Sequence, residues 1–367
     1  MYDVIITGGG IVGLSTGHEL LKQNPSLKVI ILEKEPKIGL HQSRNNSGVI
    51  HSGIYYPTGS NKAIFCVEGN RLLYEYVHNR NIGYRNTGKL VVATSKDEIE
   101  RLEQLHAKGR ENGVEGLELL SKEKVEKMQP EIKAELGLFC PSSGIIDAAD
   151  FVLSLEADLQ RNNVIVSFNA EVENISKSNP GFTVQVKGDE SYVIETDTLI
   201  NCAGLNAVDV AKKVEGIDEN LLPQAYYGKG HYFQLSGSHP FKNHLVYPLH
   251  RKDSLGIHVS IDISGKARFG PDLIWTEKID YSFDESLKDK FVESIQAYWP
   301  NLDPDRLTPD YTGIRPKIYG PDEKPADFLL QSSKDHQVEG LINLLGIESP
   351  GLTASLAIAI KLLSYSF

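Results

Sequence analysis

YDVIITGGGIVGLSTGHELLKQNPSLKVIILE, residues 2–33, decides the fold of this chain. An apolar strand (Val4, Ile5, Ile6) runs straight into Gly8, Gly10 and Gly13, and a helix follows whose apolar positions Ile11, Leu14, Leu20 and Leu21 can face a sheet. The three glycines meet three needs of a dinucleotide turn: a tight bend, a backbone close to a pyrophosphate, and close packing of helix on strand. Residues 29–32 read as a second strand that ends on Glu33, twenty residues beyond Gly13, where a carboxylate holds a ribose hydroxyl, with Lys34 next to it. Strand, turn, helix and acid together give the triplet the context that a chance glycine loop lacks.

At 367 residues the chain exceeds one ordinary domain, so two are expected. A net charge of -11 disfavours the phosphate backbone of nucleic acids as a partner. No run of about 18 apolar residues offers a transmembrane segment, which leaves only peripheral membrane contact open. Cys66, Cys140 and Cys202 are scattered without CxxC spacing, so neither a metal site nor a disulfide framework is expected, and a reducing compartment fits. With the first strand starting at Tyr2 there is no room for a leader, and a cytoplasmic location is the expectation.

Beyond the opening unit, a polar, glycine-containing stretch runs from Gly39 to Gly59, and a helix is predicted over 62–80. Residues 88–94 alternate as a strand; 96–112 form a charged amphipathic helix with Ile99, Leu102 and Leu105 on one stripe, and Ser121 starts a shorter one. A helix over 148–161, strands over 164–168 and 170–175, and a hairpin of 182–186 with 192–195 follow. TLINCAG (198–204) is then a buried strand that returns to the first sheet. Short alternating runs at 231–235, 256–263 and 266–270 predict a separate antiparallel sheet. The end, 341–363, repeats the opening logic with an apolar strand, a turn at Gly346 and Gly351, and an apolar helix from Thr353. A helix terminus of this kind stabilises negative charge by about 0.3 to 2 kcal/mol. The expected architecture is α/β: a Rossmann-like dinucleotide domain (1–85, 146–220, 325–367) with a discontinuous α+β substrate domain built on an antiparallel sheet (86–145, 221–324). A nucleotide domain assembled from beginning, middle and end favours FAD over NAD.

Four stretches, HQSRNNSGVIHSGIYYPTGS (41–60), YYGKGHYFQL (226–235), LGIHVSIDISGKARFGPD (255–272) and GIESPGLTASLAIA (346–359), carry a family resemblance. They resemble the FAD-dependent L-2-hydroxyglutarate dehydrogenases and oxidases of the D-amino-acid-oxidase-like superfamily, in order and over essentially the whole chain. The resemblance implies that the loop with Ser43, Asn46, Ser47 and Gly48 passes close to the flavin and that the backbone of Val172 meets adenine. It further implies that Gly204 approaches the dinucleotide, and that the Gly351, Leu352, Thr353 turn approaches the pyrimidine edge of the flavin. Non-covalent FAD is expected.

Oxidising a 2-hydroxy acid removes the α-hydrogen as hydride to flavin N5 and the hydroxyl proton to a base, and histidine titrates near neutrality without large perturbation. Three of the histidines stand out by context: His51 in the flavin loop, His231 in GKGHYF, and His258 on a strand of the expected substrate sheet. His51 and His231 are the favoured pair near the reaction centre, with His258 behind. A dicarboxylic substrate also needs cationic or hydroxyl clamps. Arginine binds a carboxylate in a planar fork, and Arg315 in TGIRPK is the first candidate by resemblance to a Gly-x-Arg-Pro segment of related flavoenzymes. Lys229, Arg268, Tyr55 and Tyr56 are candidates for the second carboxylate. The expected reaction is L-2-hydroxyglutarate to 2-oxoglutarate, with oxygen or a quinone as electron acceptor. An amine or amino-acid oxidase on the same fold, and a non-catalytic FAD-binding regulator, are the alternatives.

Overall fold

The computed structural model describes residues 1–241, 244–249 and 256–365; Leu255, the first residue of the 255–272 stretch, and His250 lie outside them. The chain divides into two units, the first made of Met1–Arg44, Ala148–Tyr227 and Arg315–Phe367, the second of Asn45–Asp147 and Gly228–Ile314.

In the first unit, Tyr2–Thr7 lies between two parallel neighbours, Val29–Leu32 and Tyr192–Asn201, with Ile5 opposite both Ile30 and Leu199. Strands buried on both faces have no solvent side to alternate towards, which is why Val4, Ile5 and Ile6 and the whole of Val29–Leu32 are continuously apolar. The eight-stranded sheet runs Glu171–Lys177, Phe182–Lys187, Tyr192–Asn201, Tyr2–Thr7, Val29–Leu32, Ile165–Ser167, and Leu341–Leu345 and Leu329–Gln331 add to it beside Tyr192–Asn201. TLINCAG does return to the first sheet, and the 182–195 hairpin forms as read. Ile11–Gln23 packs against the terminal helix Gly351–Leu362 and against Ala148–Arg161. Phe182, Val184, Leu199 and Ile175, all 0% exposed, centre the apolar core on one face of the sheet.

The second unit holds a nine-stranded sheet ordered Ile274–Thr276, Tyr226–Leu235, Ala267–Phe269, Val259–Ile261, Leu245–Pro248, Lys89–Ala93, Leu136–Cys140, Glu118–Ser121, with Leu307–Lys317 beside Tyr226–Leu235. It is mixed rather than purely antiparallel, because Leu245–Pro248 runs parallel to Lys89–Ala93. Side-chain alternation along Lys89–Ala93 sends Leu90 and Val92 into a core with Phe233, Phe241, Phe269 and Trp299. Val91 and Ala93 enter a second core with Leu138, Tyr247 and Cys140.

The boundaries differ from those expected, since residues 45–85 belong to the second unit. Val49–Ile50 and Tyr84–Arg85 both pair with Gly144–Ile146, and Ile54 packs in the core of Val91 and Leu102. The predicted helix over 96–112 begins as a 3-10 turn, Lys96–Glu98, before Ile99–Glu111.

Truncating Phe182 to Ala removes a fully buried ring from the first core and should cost about 3 to 5 kcal/mol. A chemical-denaturation midpoint that did not move would show that this core does not limit stability.

Candidate functional site

A cavity of about 220 Å³ in the first unit is lined by Gly8, Gly10, Glu33, Lys34, Ser43, Val172 and Gly204. Its floor is the turn after the first strand. Gly8 has φ +99, and a Cβ there would fall 2.5 Å from the Cys202 carbonyl oxygen, so both its conformation and its crowding demand glycine. Gly13 serves packing instead: a Cβ on it would collide with the Gly8 carbonyl oxygen. The Glu33 carboxylate accepts from the Gly9 amide at 2.7 Å and from the Glu35 amide at 2.9 Å. Burial raises its pKa, against the pull of those two amides. Gly10 has no side chain to cap the helix that follows, and the hydroxyl of Ser43 accepts from the Ile11 amide at 2.9 Å in its place. Lys34 pairs with Glu35 at 3.4 Å, and the carbonyl of Val172 accepts from Lys213 Nζ at 2.6 Å.

Gly351, Leu352 and Thr353 form the first turn of the terminal helix rather than a turn before it. Ahead of them, Glu348 is buried and ion-paired with Lys317 Nζ at 2.7 Å. Burial lowers the pKa of Lys317, opposed by Glu348 and reinforced by Arg315. Gln42 Nε2 donates to the Ile347 carbonyl at 3.0 Å, fastening the cavity loop to this segment.

In the second unit, the Asn46 side chain accepts from the Gly48 amide at 2.8 Å and its carbonyl accepts from the Tyr311 hydroxyl at 2.6 Å, with Ser47 partly buried between. Gly48 has φ +62, and a Cβ there would lie 2.7 Å from the Ile146 carbonyl oxygen. The carbonyl of His51 accepts from Asn70 Nδ2 at 2.9 Å. Burial first, and the charge of Lys89 second, hold the His51 imidazole well below the usual range. His231 is 1% exposed; its backbone amide and its Nδ1 lie 2.7 and 3.1 Å from Asp272 Oδ1. In the neutral tautomer that donates Nδ1–H to the carboxylate, Nε2 would carry the lone pair; Nε2 has no hydrogen-bond partner among the described residues. His258 stacks on Tyr247 with centroids 3.8 Å apart. Among the clamp candidates, Lys229 pairs with Asp280 at 2.9 Å, and Arg268 pairs with Asp262 at 2.8 Å and with Asp310. Both cations are therefore engaged by protein carboxylates. Tyr55 and Tyr56 occupy the turn between Val49–Ile50 and Asn61–His78, and Arg315 is partly buried at the start of the last segment of the first unit.

The family model described as FAD dependent oxidoreductase matches residues 3–364. The chain belongs to this family. It is 38% identical to the mitochondrial L-2-hydroxyglutarate dehydrogenase of Arabidopsis thaliana, over 97% of this chain and 82% of that protein. It is 31% identical to the L-2-hydroxyglutarate dehydrogenase of Escherichia coli strain K12, over 99% of this chain and 93% of that one. Among solved structures, the dithionite-reduced L-alpha-glycerophosphate oxidase of Mycoplasma pneumoniae with FAD bound superposes with a TM-score of 0.86 at 26% identity, covering 100% of this chain and 95% of that one.

FAD, the cofactor of the family, fits the cavity of the first unit. Glycine backbone and a helix N-terminus suit a pyrophosphate, and Glu33 keeps lone pairs for ribose hydroxyls after accepting its two amides. No helix among the described residues is long and apolar enough to cross a membrane. Residues that sequence reading passed over are Asp272, Gln42, the Lys317–Glu348 pair and Lys89. Lys89 did leave a signal, since a period-two strand puts it on the inward face with Val91.

Glu33→Gln should weaken FAD retention by about 10- to 100-fold, the usual worth of a charge-assisted hydrogen bond. Fluorescence titration of the apoprotein measures it; undiminished affinity would remove Glu33 from the cofactor contacts.

Proposed function

We propose that this chain is the FAD-dependent dehydrogenase or oxidase that converts L-2-hydroxyglutarate to 2-oxoglutarate. The observation that carries the reading is the similarity to L-2-hydroxyglutarate dehydrogenases along nearly the full length of this chain and 82% and 93% of those two proteins. The cavity that gathers the dinucleotide residues supports it. FAD, when bound, supplies the two-electron acceptor for the α-hydrogen. Gly8, Gly10, Glu33, Lys34, Ser43, Val172 and Gly204 hold its dinucleotide, while Asn46, Ser47, Gly48, Gly351, Leu352 and Thr353 serve its ring.

The remaining work falls to proton transfer and carboxylate binding. His51 is the base: its depressed pKa keeps the imidazole neutral at pH 7, so a ring nitrogen can take the hydroxyl proton. His231, its tautomer set by Asp272, presents Nε2 as a second acceptor. Arg315 clamps a substrate carboxylate with its planar fork. Oxygen or a quinone takes the electrons onward. The three cysteines are free and buried, which supports a reducing, cytoplasmic setting.

Anaerobic L-2-hydroxyglutarate should bleach the flavin absorbance while the D-isomer leaves it oxidised, and equal bleaching by both would sink the stereochemical reading. Because a neutral base acts above its pKa and is lost as pH falls through it, the acid limb of kcat/KM should lie below the ordinary imidazole value of 6.5. His51→Ala should abolish that limb and slow flavin reduction by about 100-fold or more. An unchanged pH profile in the variant would take the role from His51.

A further inference from the structure

Lys89 is 0% exposed, and its Nζ has no hydrogen-bond partner among the described residues. It opens the strand Lys89–Ala93, pairing with Leu245 on one side and Cys140 on the other, so its side chain shares a face with Val91 and Ala93. That face is an apolar core of Leu138, Leu245, Tyr247 and Ile145. The ammonium lies 4.2 Å from the ring centroid of Tyr247 and 5.4 Å from that of Tyr55. The hydroxyl of Tyr247 is also buried without a hydrogen-bond partner among the described residues. Burying an ammonium without a counter-charge costs several kcal/mol, and a cation–π contact recovers about 2 of them. Burial lowers the Lys89 pKa to about 8, which still leaves it mostly protonated at pH 7.

Two unsatisfied donors, one of them cationic, on one face of an apolar core are complementary to a carboxylate. Lys229 and Arg268, the other cations considered for this task, are already neutralised by Asp280 and by Asp262 and Asp310. We propose that Lys89, with the Tyr247 hydroxyl, binds the distal carboxylate of the hydroxy-acid substrate and makes the enzyme selective for a dicarboxylate. The assignment rests on the hydroxy-acid reading above.

The test uses the full-length, FAD-loaded enzyme, Lys89→Met and Lys89→Gln, with two reducing substrates and one inert ligand. L-2-hydroxyglutarate and L-2-hydroxyvalerate share five carbons and differ at the distal carboxylate. Glutarate carries both carboxylates but no hydroxyl, and its binding is read from perturbation of the flavin spectrum. Lys89→Met should lower kcat/KM for L-2-hydroxyglutarate by at least about 30-fold while changing that for L-2-hydroxyvalerate by less than about 3-fold, and should weaken glutarate by a similar 30-fold. Its melting temperature should be equal or higher without ligand, because an uncompensated buried charge is gone. Equal losses on both substrates, or unchanged glutarate binding, would overturn the assignment and leave the activity standing. Lys89-dependent glutarate binding in an enzyme that fails to oxidise L-2-hydroxyglutarate would instead overturn the activity and uphold the carboxylate site.

Discussion

The first unit depends on a carboxylate reaching across from the end of one parallel strand to the turn after its neighbour. Glu33 accepts from the Gly9 amide at 2.7 Å while Ser43 accepts from the Ile11 amide at 2.9 Å. Together they satisfy backbone donors at the start of a helix whose cap, Gly10, has no side chain. Both acceptors fix the geometry of the turn. A positive-φ glycine at position 8 is then obligatory, because the returning strand passes so close that a Cβ would strike the Cys202 carbonyl.

The same ends of the parallel strands are tied by a small polar network. Asn201, fully buried, donates to Asn343 Oδ1 at 3.0 Å and to the Ala207 carbonyl at 2.7 Å, and its own Oδ1 accepts from the Thr7 hydroxyl at 3.3 Å. Three strands are thereby held in register where the chain leaves the sheet. A ligand at the carboxyl ends of such a sheet meets pre-formed backbone rather than loops that must be ordered on binding.

The second unit concentrates buried polar chemistry on one sheet. His231 and Asp272 form a pair that is 1% and 0% exposed at the side chain, and Lys89 stands without a counter-charge in an apolar core. Such groups lower the stability of the unliganded protein, and they persist where binding or proton transfer needs them. His51 shows the electrostatic consequence, with desolvation and the Lys89 charge both favouring its neutral form.

Local pattern determined the glycine turn, Glu33, the 182–195 hairpin and the helix Ala148–Arg161, because each is dictated by residues within a few positions or one strand period. It also carried the family through motifs spread along the chain. Tertiary structure alone decided that residues 45–85 join the second unit, since their strands pair with Gly144–Ile146, some sixty to one hundred residues away in sequence. It alone engaged Lys229 and Arg268 with protein carboxylates, and placed Asp272 on His231 and Lys89 under Tyr247. Most of these contacts join side chains some forty or more residues apart, and no hydrophobic period records which acid meets which base.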